Sequence, residues 1–183
     1  MSLSRRTALA LPGALPLALL AGRAAAQKRL EIPPSWYAVR IDENAFTVEM
    51  PGVPDHRIVD DRSARGTAFQ LHSYSIESGG SSYVAQTALY PGDVDVTQPR
   101  AILQAALDGR AQQLSGGKWS RVDWRQIAGA AAVESTGVVP GGNGLRQLVL
   151  LKQRRFMSLA FLGPASSLAG ADANRFFNSL KLV

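Results

Sequence analysis

From Trp36 to the C-terminus the hydrophobic period is two in run after run, and only two stretches switch to helical spacing. Phe46, Val48 and Met50 alternate with Thr47 and Glu49; Phe69 and Leu71 oppose Gln70, His72 and Tyr74; Val122 and Trp124 oppose Arg121, Asp123 and Arg125. Residues 36–39, 83–90, 130–139 and 145–152 are similarly β-rich, and Ile58-Val59 suggests one short strand more. Glycine- and proline-rich links separate these runs, among them Pro140-Gly141-Gly142-Asn143-Gly144, whose residues suit the positive φ of a hairpin connection. Residues 156–162 are apolar on both faces, which predicts a central strand covered by helices.

The first helical stretch spans 98–114, with Thr97 as N-cap and Pro99 in the first turn, where its missing N–H costs little. Leu103, Leu107, Ala111 and Leu114 form its apolar stripe, and Gly109 weakens it by roughly 1 kcal/mol relative to alanine, so the helix needs a sheet to lie on. The second, 168–180, lines up Ala169, Ala173, Phe176 and Leu180, and Leu180-Lys181-Leu182-Val183 is expected to close the sheet. Strands, helix, strands, helix, with hairpins and no βαβ crossover, predict an α+β fold with a central antiparallel sheet and helices packed on it.

The N-terminus follows a different logic. Ser4-Arg5-Arg6 precede sixteen uncharged residues, 7–22, and Ala24-Ala25-Ala26 stand before Gln27. A basic start, an apolar middle and an A-x-A end predict a cleavable export signal over 1–26, with Ala24 and Ala26 at the cut. Arg5-Arg6 point to the twin-arginine route: Ser4, Arg5, Arg6 and Leu9 fit S-R-R-x-F-L-K, while Ala8 and Ala10 replace its Phe and Lys. Sixteen residues fall short of the ~20 that span a bilayer as a helix, so cleavage is preferred to a retained anchor, and no stable membrane span is expected after it. The expected location is periplasmic or secreted, with the export translocase as a partner through the signal. Residues 27–35, with Pro33-Pro34, read as an extended lead-in, and 36–183 as a single domain.

Composition narrows the chemistry. The 183-residue chain has 20 basic and 14 acidic residues; without Arg5, Arg6 and Arg23 the balance falls to 17 against 14, a net charge of +3 scattered along the chain. No nucleic-acid partner is expected from so diffuse a charge. With no cysteine there is neither disulfide nor thiol chemistry, and stability has to come from packing. The only histidines, His56 and His72, lack i, i+4 spacing, so no metal or other cofactor is expected. His72 with Ser73, or His56 with Asp55, are the only starting points for nucleophilic catalysis, and neither has a G-x-S-x-G elbow. Asp60-Asp61 and Asp93-x-Asp95 read as loop carboxylates, the latter lacking the Gly and closing Glu of a calcium loop. Gly116-Gly117-Lys118 and 141–144 match no phosphate-loop pattern and read as turns. No catalytic residue is nominated.

Three residues stand out as a possible partner surface. Arg154 and Arg155 form a small anion-binding patch with Arg146 if the hairpin brings their strands together, and Trp119 is expected on the charged, exposed face. Phe46-Thr47-Val48-Glu49-Met50-Pro51-Gly52-Val53-Pro54 and Asn174-Arg175-Phe176-Phe177-Asn178-Ser179-Leu180-Lys181-Leu182 also pair an opening strand and rigid exit with a closing aromatic helix. These segments resemble the F-x-V-x-x-P-G-x-P turn and the R-F-F-x-S-F-x-L closure of the PsbP-like α/β/α sandwich family, in its exported bacterial branch, with Leu180 where Phe is more usual. The resemblance implies an antiparallel sheet between helices and an accessory or binding role, and implies no reaction. The expected function is therefore an exported, non-catalytic binding or accessory module of the bacterial envelope, holding an envelope protein or a small ligand. The alternatives are a small periplasmic hydrolase built on His72 and a loop carboxylate, or a membrane-tethered scaffold that keeps its N-terminal segment.

Overall fold

A computed structural model describes residues 35–42 and 45–183. Among these residues, ten strands and two α-helices follow the expected order: β1 (Tyr37–Ile41), β2 (Phe46–Met50), β3 (Asp55–Arg62), β4 (Ala68–Ser78), β5 (Ser81–Leu89), α1 (Pro99–Ala111), β6 (Arg121–Ile127), β7 (Ala130–Val138), β8 (Asn143–Lys152), β9 (Arg155–Pro164), α2 (Ala171–Asn178) and β10 (Lys181–Leu182). Seven strands form one sheet in the order β3-β4-β5-β9-β8-β7-β6, antiparallel throughout. β9 is its middle strand, as its two apolar faces require. α1 carries the chain from β5 across one face of the sheet to the far edge, where β6 begins.

The two faces have different covers. Ile102, Leu103 and Leu107 of α1 pack on Val133, Val149 and Leu151 on one side. On the other, Phe176 and Phe177 of α2 join Phe46, Val48 and Met50 of β2 over Leu148, Leu150, Met157, Leu159 and Phe161. That second cover is more than a helix. β10 pairs with β2 rather than with the large sheet, so β1, β2 and β10 make a separate three-stranded sheet beside α2. Two helices sandwiching one sheet is thus corrected to one helix on one face and a helix plus a small sheet on the other.

Local departures have local causes. α1 begins after Gln98 with no side-chain cap. Thr97 instead gives both its N–H and its hydroxyl to Asp95, at 2.9 and 2.6 Å, and Pro99 leaves one fewer N–H for a cap to satisfy. The helix stops at Ala111, and Gly116 and Gly117 turn the chain back with φ of 72° and 64°. β3 is an eight-residue edge strand rather than a two-residue one, because backbone pairing with β4 holds it whatever its side chains do. Its Asp55, Arg57, Asp60, Asp61 and Arg62 hide it from a hydrophobic pattern and guard it from further pairing. At the β2 exit Gly52 has φ 134°, and a Cβ there would meet Ile76 Cδ1 at 2.6 Å, so backbone and packing both demand glycine.

Candidate functional site

On the α2 face the side-chain alternation raises Arg121, Asp123 and Arg125 of β6, Glu134 and Thr136 of β7, and Arg146 of β8. The register places Asp123 opposite Glu134, and Thr136 opposite both Arg121 and Arg146, so these polar side chains occupy neighbouring rows. α2 and the single 3-10 turn before it (Ala165–Ser167) stop short of the β6 edge, leaving a groove of about 400 Å³ whose other wall is Leu168, Ala169 and Asn174.

The groove's floor is an ion network held from several sides. Arg146 Nε donates to Glu134 Oε1 at 2.7 Å, and its Nη1 donates to the Leu168 carbonyl at 3.1 Å and to Asn174 Oδ1 at 2.7 Å. The guanidinium also lies 4.3 Å from the centre of the Phe177 ring. Arg125 Nη2 reaches the other Glu134 oxygen at 2.7 Å, so one carboxylate bridges two guanidinium groups. Arg146 and Glu134 are only 13% and 15% exposed, a setting in which a charge survives because it is paired and hydrogen-bonded. At the rim, Arg121 and Asp123 pair at 2.5 Å in open solvent, where such a pair exchanges partners at little cost. A fixed floor beneath exchangeable rim charges suits recognition of a polar ligand. Arg146 was legible as a basic residue beside a hairpin; Glu134 and Asn174 carried no sequence signal, since their role exists only through cross-strand register and helix docking.

The expected partner surface does not assemble as one patch. Arg154 and Arg155 are consecutive and diverge. Arg154 donates to the carbonyls of Tyr90 (3.1 Å), Pro91 and Val94 (2.8 Å), pinning the loop between β5 and α1. Arg155 binds Asp42 Oδ2 at 2.7 Å on the opposite face. Trp119 is half-buried rather than exposed: its indole N–H donates to the Leu107 carbonyl at 3.1 Å, and its ring packs on the α1 cluster. Trp124 sits in the same cluster under the Arg100 guanidinium, at 4.5 Å. Asp93 accepts the Ser63 hydroxyl at 2.5 Å, the main cause that holds its carboxyl below the usual value, with Thr67 assisting and partial desolvation opposing. Arg5, Arg6, Ala24 and Ala26 lie outside the described residues.

The two histidines meet although 16 residues separate them. Pairing of β3 with β4 sets His56 opposite Tyr74 and Ile58 opposite His72, which makes the imidazoles diagonal neighbours with His56 Nε2 3.3 Å from His72 Nδ1. His56 also stacks on Tyr74, ring centres 4.2 Å apart. Asp42 Oδ1 stands 3.7 Å from His72 Nδ1, beyond hydrogen-bond reach. A hydrolytic triad needs a carboxylate bonded to one ring nitrogen and a hydroxyl at the other; His72 Nδ1 instead faces a second imidazole. Among the described residues, no three His, Asp or Glu side chains converge as a metal-ligand set.

No family model matches the sequence, and neither does any curated protein. Among solved structures, the solution structure of cyanobacterial PsbP (CyanoP) from Synechocystis sp. PCC 6803 superposes with a TM-score of 0.56 at 9% identity, over 87% of this chain and 99% of that one. The fold is PsbP-like. At that identity the likeness speaks for architecture alone, and a PsbP-like fold leaves the function to the residues of the site. A crystal structure of a Pseudomonas aeruginosa protein of unknown function aligns at a TM-score of 0.40 and 18% identity, over 73% of this chain and 85% of that one, too loosely to bear on the fold.

Proposed function

We propose that this chain is an exported, non-catalytic binding module of the bacterial envelope, and that its ligand contacts lie in the groove between α2 and the β6 edge. The observation that carries the reading is the groove itself: a recess of about 400 Å³ with a cross-braced Arg125–Glu134–Arg146 floor and an exposed charged rim of Arg121 and Asp123. Preformed polar recesses of this size accept small molecules or the end of a peptide. Export is supported by the Arg5-Arg6 pair and the Ala24/Ala26 cut in the sequence, and no helix among the described residues is long and apolar enough to cross a membrane.

Two measurements test the two halves of the proposal. Intact mass of the protein recovered from the envelope fraction is expected to lack residues 1–26, and Arg5→Lys with Arg6→Lys is expected to retain it in the cytoplasm; an intact N-terminus in the envelope favours the tethered scaffold instead. For the groove, amide NMR titration with a panel of charged small molecules and short peptides is expected to move the signals of residues 121–125, 134–136 and Asn174. Ala169→Trp, which fills the groove from an exposed position, is expected to remove those shifts. Shifts that gather elsewhere and survive Ala169→Trp overturn the assignment.

A further inference from the structure

The sequence separates its two histidines, and the fold puts them nitrogen to nitrogen at the solvent-facing corner of β3 and β4, on the same sheet face as the groove but at its opposite edge. The separation of 3.3 Å has a second meaning besides a hydrogen bond. Two ligand atoms bound at about 2.0–2.1 Å to one tetrahedral ion stand about 3.3 Å apart, so the rings need only a small rotation to share a metal. Asp42 supports the same place from above. Its backbone N–H donates to the Tyr74 hydroxyl at 3.2 Å, and Arg155 holds Oδ2 at 2.7 Å, which leaves Oδ1 directed at His72 Nδ1 from 3.7 Å. That is too far for a ligand set of three, and it is the right reach for accepting a hydrogen bond from a metal-bound water. Asp42 keeps this position at φ 43°, a left-handed backbone uncommon for a residue with a side chain. Tyr74, stacked on His56, fixes the ring of the first ligand as well as the backbone of Asp42.

We propose that His56 Nε2 and His72 Nδ1 chelate one divalent transition-metal ion of the borderline kind, Cu²⁺ or Zn²⁺, with Asp42 Oδ1 orienting its bound water. Imidazole pairs suit these ions and reject Mg²⁺ and Ca²⁺, which demand oxygen ligands. On binding, the proton held between the rings moves to the distal nitrogen of the ring that donated it, so both imidazoles remain neutral ligands. The open coordination positions face solvent, which makes the site one that takes up and releases its ion.

Calorimetric titration of the untagged full chain with CuCl₂, ZnCl₂ and MgCl₂ tests this. One equivalent of Cu²⁺ is expected to bind more tightly than one of Zn²⁺, with no saturable uptake of Mg²⁺. His56→Gln or His72→Gln is expected to abolish the saturable phase, and Asp42→Asn to weaken it by about tenfold. A readout on the unaltered protein stands beside the variants: substoichiometric Cu²⁺ broadens the His56 and His72 imidazole NMR signals first. Absence of saturable uptake, uptake undiminished in both histidine variants, or broadening centred elsewhere overturns the proposal. The groove and its titration are independent of this outcome, since no groove residue takes part.

Discussion

The two edges of one sheet face carry polar clusters that differ chiefly in what lies over them. At β6–β8, α2 and the turn before it press the Arg146–Glu134 pair into low-dielectric surroundings, where Arg146 Nε and Nη1 bond to fixed acceptors and the charges become part of the scaffold. At β3–β4, Asp42 at the end of β1 reaches over the cluster, and His56 stays exposed with His72 and Tyr74 stacked beside it. Desolvation decides between the two behaviours. A buried polar group must keep the partner it folded with, whereas an exposed one can trade it for a ligand.

Removing a partner should therefore hurt unequally at the two edges. Arg146→Ala strips Glu134 of one of its two cations and leaves the Leu168 carbonyl and Asn174 Oδ1 without their donor; a loss of about 3 kcal/mol in urea unfolding is expected. A loss as small as that of an exposed pair would dissolve the contrast. At the other edge, Tyr74→Phe keeps the ring stacked on His56 and deletes only the acceptor of the Asp42 N–H, so about 1 kcal/mol is expected by the same measurement. The smallest effect is expected from a control outside both clusters. Ser63→Ala removes the main bond that lowers the Asp93 pKa. Because that pKa is depressed in the folded state, the stability it contributes is present above the ordinary carboxylate value and disappears as pH falls through the folded value. The variant should be less stable than the parent near neutrality, converge with it on the acid limb of a stability-versus-pH curve as pH falls through the folded value, and show Asp93 titrating at higher pH by NMR.

The elements themselves were legible because their signals are local. Phe46, Val48 and Met50 alternate and are all buried, Leu103 and Leu107 sit on one helical stripe and face the sheet, and Gly141 and Gly142 turn the β7–β8 hairpin as their backbone freedom suggests. β3 was foreshortened because an edge strand needs no apolar face, and β10 was assigned to the wrong sheet because two residues carry no register information. The candidate sites were less legible still. Consecutive residues on a strand point to opposite faces, so Arg154 and Arg155 were never going to make one patch once they fell inside a strand and its turn. His56 and His72 looked unrelated by spacing, since cross-strand neighbours are set by register and not by distance along the chain.

What the chain's residues determined alone was the succession of strands and helices, the reliance on packing in the absence of cysteine, and the positions where only glycine or proline can turn. These follow from propensity and periodicity over a few residues. Which sheet the last strand joins, which charges are buried by α2, and which imidazoles meet were decided by the tertiary structure, because each depends on contacts between segments whose mutual distance no local pattern encodes.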